Sequence, residues 1–146
     1  MTLIQRAGPE DADLIAGIAT RSYEESHGHC AAAADVESYL STKLAKNVIE
    51  KELADERNIF HLIYHEDLAA GYSKLILDSP HPSVKDGMVT KLERLYLLKE
   101  FYDHKLGLHL FNFVAALSKK SNQAGMWLFV WVKNERAINF YKKEWI

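Results

Sequence analysis

The sequence predicts a mixed α/β fold in which helices flank one central sheet, and three observations lead to this prediction. Two neighbouring segments rich in β-formers are separated by a short turn, which is the pattern of an antiparallel hairpin. Further along, a strand, a helix and a strand follow one another, which indicates parallel pairing through a right-handed crossover. The 146 residues are 48% hydrophobic and 26% charged, which is enough apolar material for one domain spanning residues 1–146. A mixed sheet covered by helices is the simplest packing of these parts.

The N-terminal part is predicted to contain a strand, residues 3–7, and two helices. Pro9 begins the first helix, which reaches about Glu25, because proline suits the first helical position. The second helix is predicted to be capped by Asp35 and to carry one apolar stripe as far as Leu53. The irregular segment between the two helices, residues 26–30, is predicted to form a loop.

The rest of the chain is predicted to contain four strands and two helices. Residues 58–64 and 69–77 form the hairpin, and the glycine of the second strand lets another group approach closely. Residues 92–98 form the third strand, and a helix begins near Leu106. The most apolar segment, residues 126–132, is predicted to be a central strand buried on both faces, followed by a helix that Asn134 caps. The predicted order is therefore β-α-α-β-β-β-α-β-α.

Charge and cysteine content limit the classes of partner and compartment. Eighteen Lys and Arg against twenty Asp and Glu give a net charge of −2, which argues against a broad nucleic-acid surface. The single cysteine, Cys30, fits a reducing compartment. Because the sequence shows neither a membrane-spanning apolar run nor a signal-peptide core, we expect a cytoplasmic protein without membrane contact.

Two stretches carry residues that can support chemistry. Residues 92–110 are predicted to form a strand, a short loop and a helix start, whose unpaired N–H groups can hold a phosphate. Gly107 permits close backbone approach there, and His104 and Lys105 can add positive charge. Residues 126–143 are predicted to form a strand, an Asn and a helix with a Phe-Tyr pair. Each stretch alone is also explained by structural roles, as a loop in one case and as a helix cap with core aromatics in the other.

Taken together, the two stretches resemble the GNAT superfamily of N-acetyltransferases. In that family a strand leads into a Gln/Arg-x-x-Gly-x-Gly/Ala turn and a helix, and a later strand ends in Asn before a helix with Phe-Tyr. LERLYLLKEFYDHKLGLHLF matches the first part and LFVWVKNERAINFYKK the second. The resemblance covers essentially the whole chain. It implies an acceptor side in residues 1–57 and an acetyl-CoA-binding core in residues 58–146.

The resemblance also implies roles for individual residues. Backbone groups of the strand bind the pantetheine arm of acetyl-CoA, Asn134 contacts the cofactor, and Tyr141 protonates the departing thiolate. Two positions depart from the family pattern, because Tyr102 replaces the usual Gln or Arg and Lys105 the first Gly. A lysine can still serve there if its backbone is unstrained and its amine points at the phosphate. The implied pantetheine positions are Leu95, Tyr96 and Leu97, and the implied pyrophosphate turn comprises Tyr102, Asp103, His104, Lys105, Leu106, Gly107 and Leu108.

The implied reaction is direct attack of a primary amine on the thioester in a ternary complex. Glu93, an acid within the strand that leads to the cofactor, is the candidate base; alternatively it pairs with Arg94 or a neighbouring strand in an exposed ladder. The acceptor side is expected to include Glu24, Glu25 and Tyr72.

Two other functional classes stay open. One is a catalytically weak or inactive relative that binds acyl-CoA or a partner protein. The other is a metal or redox protein built on His27-x-His29-Cys30, although we expect no metal site because no second ligand cluster accompanies it.

The C-terminal end differs from the family pattern. GNAT proteins normally continue past the Phe-Tyr helix with a Gly-Phe turn and two strands, whereas this sequence ends at Ile146 with those C-terminal strands missing. We expect a truncated or frameshifted product, a homodimer that covers the sheet edge beside residues 126–132, or a damaged enzyme. The acceptor amine has no distinctive sequence motif.

Overall fold

The computed structural model describes residues 1–28, 32–82 and 87–128, and these contain five strands and four α-helices. Short 3-10 helices, Pro9–Asp11 and Lys99–Phe101, precede the first and last of the α-helices. The strands are β1 (Thr2–Arg6), β2 (Asn58–His65), β3 (Leu68–Ile76), β4 (Val89–Leu97) and β5 (Gly125–Trp127), and the helices are α1 (Ala12–His27), α2 (Ala33–Lys43), α3 (Lys46–Ala54) and α4 (Leu106–Lys120).

The strands form one mixed sheet, as the sequence predicts. Their order is β1-β2-β3-β4-β5; the first four pair antiparallel, and β5 lies parallel to β4. Glu66 and Asp67, both at positive φ, make the two-residue turn between β2 and β3.

The predicted central position of the last strand differs from what the described residues show. Among them β5 lies at the end of the sheet, Gly125 is exposed, and Met126 and Trp127 are half-buried. The Trp127 indole donates to the carbonyl of Ser79 in the loop after β3 (2.8 Å), so it serves a contact with that loop. Residues 129–132 of the predicted strand lie outside the described range.

The predicted second helix is two helices. The chain turns at Leu44 and Ala45, because Ala45 has an extended backbone (ψ 151°) before α3 begins. This turn allows both Leu44 and Ile49 to be buried. On a single straight helix, residues five positions apart point in different directions and would not both face the same core. Asp35 lies in the first turn of α2 and is not its cap, a position that Ala32 takes.

Two helical layers enclose the sheet. Glu52 of α3 forms ion pairs with Lys74 of β3 and Arg94 of β4, so α3 lies on the face from which these side chains project. Ser118 of α4 donates to Thr90 of β4 on the opposite face (2.9 Å). None of the helices in the described ranges is long and apolar enough to cross a membrane. The fully buried apolar residues include Ile15, Ile49, Phe60, Ile63, Leu110 and Val114.

Candidate active site

The connection between β4 and α4 is a tightly held turn, which we call the β4–α4 turn (residues 102–108). The N–H of Leu98 donates to the carbonyl of Ala70 (2.8 Å), which ties the end of β4 to β3. Phe101 before the turn and Leu106 within it are buried. Anchors on both sides therefore fix the path of the chain between them.

The backbone of the β4–α4 turn adopts conformations that favour glycine. Asp103 has φ 73°, and Lys105, which precedes α4, has φ 59° and ψ 22°, in the left-handed region. A side chain in this region costs about 1 kcal/mol relative to glycine. From the sequence we expected a lysine at this position to serve if its backbone is unstrained. In the structure Lys105 adopts the left-handed conformation of the turn, so its backbone is strained.

The start of α4 leaves backbone donors available to an anion. Within the described ranges no side chain caps this end, and the first intrahelical bond runs from the N–H of His109 to the carbonyl of Lys105 (3.1 Å). The N–H groups of Leu106, Gly107 and Leu108 therefore have no intrahelical acceptor and carry partial positive charge. His104 and Lys105 are exposed beside them. The seven residues predicted to bind pyrophosphate form the turn that leads into this helix start, and their role in binding stays a prediction.

The end of β4 lies against β3 at unusually close range. A Cβ at Gly71 would stand 2.3 Å from the carbonyl oxygen of Tyr96 and 2.6 Å from Cδ2 of Leu97. The sequence predicts that this glycine lets another group approach closely, and in the structure that group is the backbone and Leu97 side chain of β4. Leu95 and Tyr96 are half-buried and Leu97 is buried. The Tyr96 ring lies 6.2 Å from the ring of Tyr72 and 6.2 Å from that of His27.

Glu93 is the extra residue of a β-bulge in β4. Lys74 pairs with Arg94 and the next residue, Leu75, pairs with Leu92, which leaves Glu93 without an opposite residue on β3. Bulges redirect side chains and are common beside active sites. The bulge separates Glu93 from the regular alternation of the strand, a feature that the residue types alone do not reveal.

Glu93 forms an ion pair with Lys91 of its own strand, at 2.7 Å between Nζ and Oε2. The structural alternative, in which Glu93 pairs with Arg94 or a neighbouring strand in an exposed ladder, is wrong: its ion-pair partner lies on its own strand, and the side chains of Glu93 and Lys91 are only about one quarter exposed. Burial would raise the pKa of the Glu93 carboxyl, but the hydrogen bond and charge of Lys91, with the charges of Lys74 and Arg94, hold this pKa below its ordinary value. In this state Glu93 is a carboxylate and a weak base.

A second carboxylate, Glu52 of α3, forms ion pairs with one cation on each strand beside the bulge, Lys74 on β3 and Arg94 on β4. Arg94 donates to both of its oxygens (3.0 and 3.3 Å), and Lys74 Nζ lies 3.0 Å from Oε2. The side chains of Lys74 and Arg94 are only 6% and 4% exposed, so these are buried charges. Burial and the charge of Arg94 lower the pKa of Lys74, which Glu52 opposes. We call these five residues the bulge cluster: Glu52, Lys74, Lys91, Glu93 and Arg94.

The residues expected on the acceptor side have different surroundings. Tyr72 is fully buried and so lines no open surface. Glu25 accepts a hydrogen bond from the N–H of Lys99 (2.9 Å), which ties α1 to the chain just after β4. Glu24 is exposed.

The remaining predicted site residues are only partly covered by the structure. Asn134, Tyr141, His29 and Cys30 lie outside the described residues. His27 is buried, and its Nδ1 lies 2.6 Å from the Ser26 hydroxyl. In the described ranges no group of three or more His, Cys, Asp or Glu is arranged to hold a metal ion.

A comparison with protein families identifies the chain. The model of the acetyltransferase (GNAT) family matches residues 16–145, which include both β4 and the β4–α4 turn. The chain belongs to the GNAT acetyltransferase family. It is therefore an acyltransferase of the N-acetyltransferase type.

Individual relatives agree with this assignment. An uncharacterized N-acetyltransferase of Lactobacillus delbrueckii subsp. lactis is 27% identical over 138 residues, covering 94% of this GNAT chain and 80% of the relative. One from Mycobacterium tuberculosis is 27% identical over 133 residues, covering 91% and 81%. The crystal structure of the PaiA N-acetyltransferase of Thermoplasma acidophilum in complex with coenzyme A superposes with a TM-score of 0.85 at 20% identity, covering 99% of this chain and 88% of that one. The last comparison establishes the shared fold.

Proposed function

We propose that this GNAT protein transfers the acetyl group of acetyl-CoA to a primary amine, by direct attack of the amine within a ternary complex. The observation that carries the proposal is the β4–α4 turn, whose left-handed residues direct the free amides of α4 to one place beside the end of β4. Such an arrangement binds a pyrophosphate through the backbone.

The coenzyme is expected to lie along the end of β4 and across this turn. The backbone of Leu95, Tyr96 and Leu97 would bind the pantetheine arm, and the turn from Tyr102 to Leu108 the pyrophosphate. The neighbouring positive charge of Lys105 supports the second role. Asn134 remains a proposed coenzyme contact, as the family resemblance implies. The PaiA relative, described in complex with coenzyme A, supports acetyl-CoA as the cosubstrate.

The chemistry requires a base for the amine and an acid for the sulfur. Glu93 would take a proton from the incoming ammonium, directly or through water, so that the neutral nitrogen attacks the thioester carbonyl. The neutral nitrogen would add to the thioester carbonyl, and the C–S bond would break as the tetrahedral adduct collapses. Tyr141 would supply the proton to the departing thiolate, and the proton that the nitrogen loses on becoming an amide would return through water to the Tyr141 phenolate. Glu93 lies two residues before the proposed pantetheine contacts, about 7 Å along the strand.

A second candidate is an acyl-CoA-binding protein without turnover. Two observations support this candidate: the left-handed backbone of Lys105 in the β4–α4 turn, and the lowered pKa of the Glu93 carboxyl. The two candidates differ in one product, because only the enzyme releases free coenzyme A thiol when an amine is present.

The test combines acetyl-CoA with a panel of amines and amino acids and measures thiol release together with the melting temperature. The proposal expects an upward melting shift with acetyl-CoA and amine-dependent thiol release. A melting shift without release from any amine would support the binding protein. No shift and no release would contradict both candidates.

A further inference from the structure

The Lys91 ammonium sits between a carboxylate and an aromatic face. Its Nζ lies 2.7 Å from Oε2 of Glu93 and 5.2 Å from the centre of the Trp127 ring. Lys91 and Trp127 are register partners of β4 and β5, so both strands contribute to the arrangement. A carboxylate and an indole face are the two groups with which proteins recognise an alkylammonium.

Both walls of this arrangement are held in place by contacts of their own. The Trp127 indole N–H donates to the carbonyl of Ser79 (2.8 Å), and its ring packs edge-on against His81 at 4.8 Å. Glu93 is fixed by the bulge, with Lys74 and Arg94 close enough to lower its pKa. The walls are therefore preorganised, and the Lys91 side chain, on a flexible stem, is the group that can leave.

The site is partly exposed to solvent, although Oε2 of Glu93 is itself buried. The side chains of Lys91 and Glu93 are 23% and 26% exposed, whereas those of Lys74 on β3 and Arg94 on β4 are almost completely buried. Of the cations in the bulge cluster, Lys91 is thus the one that solvent or a ligand can reach.

We propose that Glu93 and Trp127 form the subsite for the ammonium group of the acceptor, and that the chain's own Lys91 occupies this subsite until an acceptor displaces it. The inference rests on the proposed function and adds the residue that competes with the substrate. Lys91 is then a specificity-determining residue, because an acceptor must replace its ammonium without leaving Glu93 unpaired. Amines with an extended alkyl group are favoured, since their chain can lie across the indole face.

Removal of the Lys91 charge should therefore strengthen the binding of an alkylammonium ligand. Loss of an ordinary substrate contact would instead weaken that binding. We would titrate n-butylammonium chloride into the full chain by calorimetry, with n-butanol as the neutral probe. Lys91→Met and Lys91→Gln should each bind n-butylammonium about tenfold more tightly than the wild type. Lys91→Arg, which keeps a cation in the subsite, should resemble the wild type.

The double variant Lys91→Met/Trp127→Leu should lose most of that gain, because the aromatic wall is gone. The melting temperature of each variant establishes whether it is folded. If Lys91→Met does not fold, Lys91→Gln provides the same test. The proposal is overturned if neither neutral variant binds n-butylammonium more tightly, or if n-butanol shows the same gain. Calorimetry with acetyl-CoA and the thiol-release assay on the same samples report separately on the proposed function, so either idea can fail without the other.

Discussion

The β4–α4 turn and the bulge cluster lie at two points of the same strand, and they are built in different ways. The turn is defined by backbone torsions, with Asp103 and Lys105 at positive φ and free amides at the start of α4. The bulge cluster is defined by side-chain charges, with Lys74, Lys91 and Arg94 against Glu52 and Glu93. A backbone site tolerates changes of side chain, as Lys105 at a glycine position illustrates. The buried pairs of Lys74 and Arg94 with Glu52 do not, because removal of one partner leaves a buried charge uncompensated.

The largest effect expected from this difference is at Glu52. Glu52→Gln removes the carboxylate that pairs with both Lys74 and Arg94, whose side chains are buried. Removal of one partner from a buried ion pair costs about 3–5 kcal/mol of stability. Denaturant unfolding should reveal this loss, whereas Glu50→Gln, at an exposed position of the same helix, should change stability by less than about 0.5 kcal/mol. Equal, small effects of both substitutions would contradict the account of the cluster.

The next largest effect is at Gly71, where β3 meets the end of β4. Gly71→Ala would place a methyl 2.3 Å from the carbonyl oxygen of Tyr96, so the strands must move apart. We expect a loss of about 3 kcal/mol in the free energy of unfolding and weaker acetyl-CoA binding. Gly17→Ala is the matched control, because its Cβ meets nothing within 4 Å and alanine favours the helix. Retained stability and acetyl-CoA affinity in Gly71→Ala would show that this close approach is not required.

The smallest effect is in the β4–α4 turn and has the opposite sign. Lys105→Gly relieves the left-handed strain and should raise stability by about 0.5–1 kcal/mol in urea unfolding. Lys99→Gly, at a residue without positive φ, should instead lower it. If Lys105→Gly also weakens acetyl-CoA binding, the lysine ammonium contacts the coenzyme; unchanged binding means that the backbone supplies the site. A loss of stability in Lys105→Gly would contradict the strained turn.

The same contrast explains which features the sequence reveals. The fold class, the hairpin and the turn position follow from residue types and spacing, because glycines, turn residues and apolar periodicity act locally. The division of the second helix does not, since it depends on how Leu44 and Ile49 both reach the sheet. The bulge at Glu93 depends on the pairing of Leu75 with Leu92, and the partners of Lys74 and Arg94 come from α3, distant in sequence. Glu93 was identifiable as an acid in the site strand, but its partner Lys91 and the aromatic wall of Trp127 were not.

The proposed catalytic role of Glu93 is the central claim, and the kinetics of Glu93→Gln test it most directly. With the best amine of the panel, the account predicts that kcat falls about 100-fold or more while the dissociation constant for acetyl-CoA changes less than about twofold. That result would separate a bulge that performs chemistry from a turn that binds the coenzyme. A kcat near that of the wild type, or loss of acetyl-CoA binding together with activity, would contradict it.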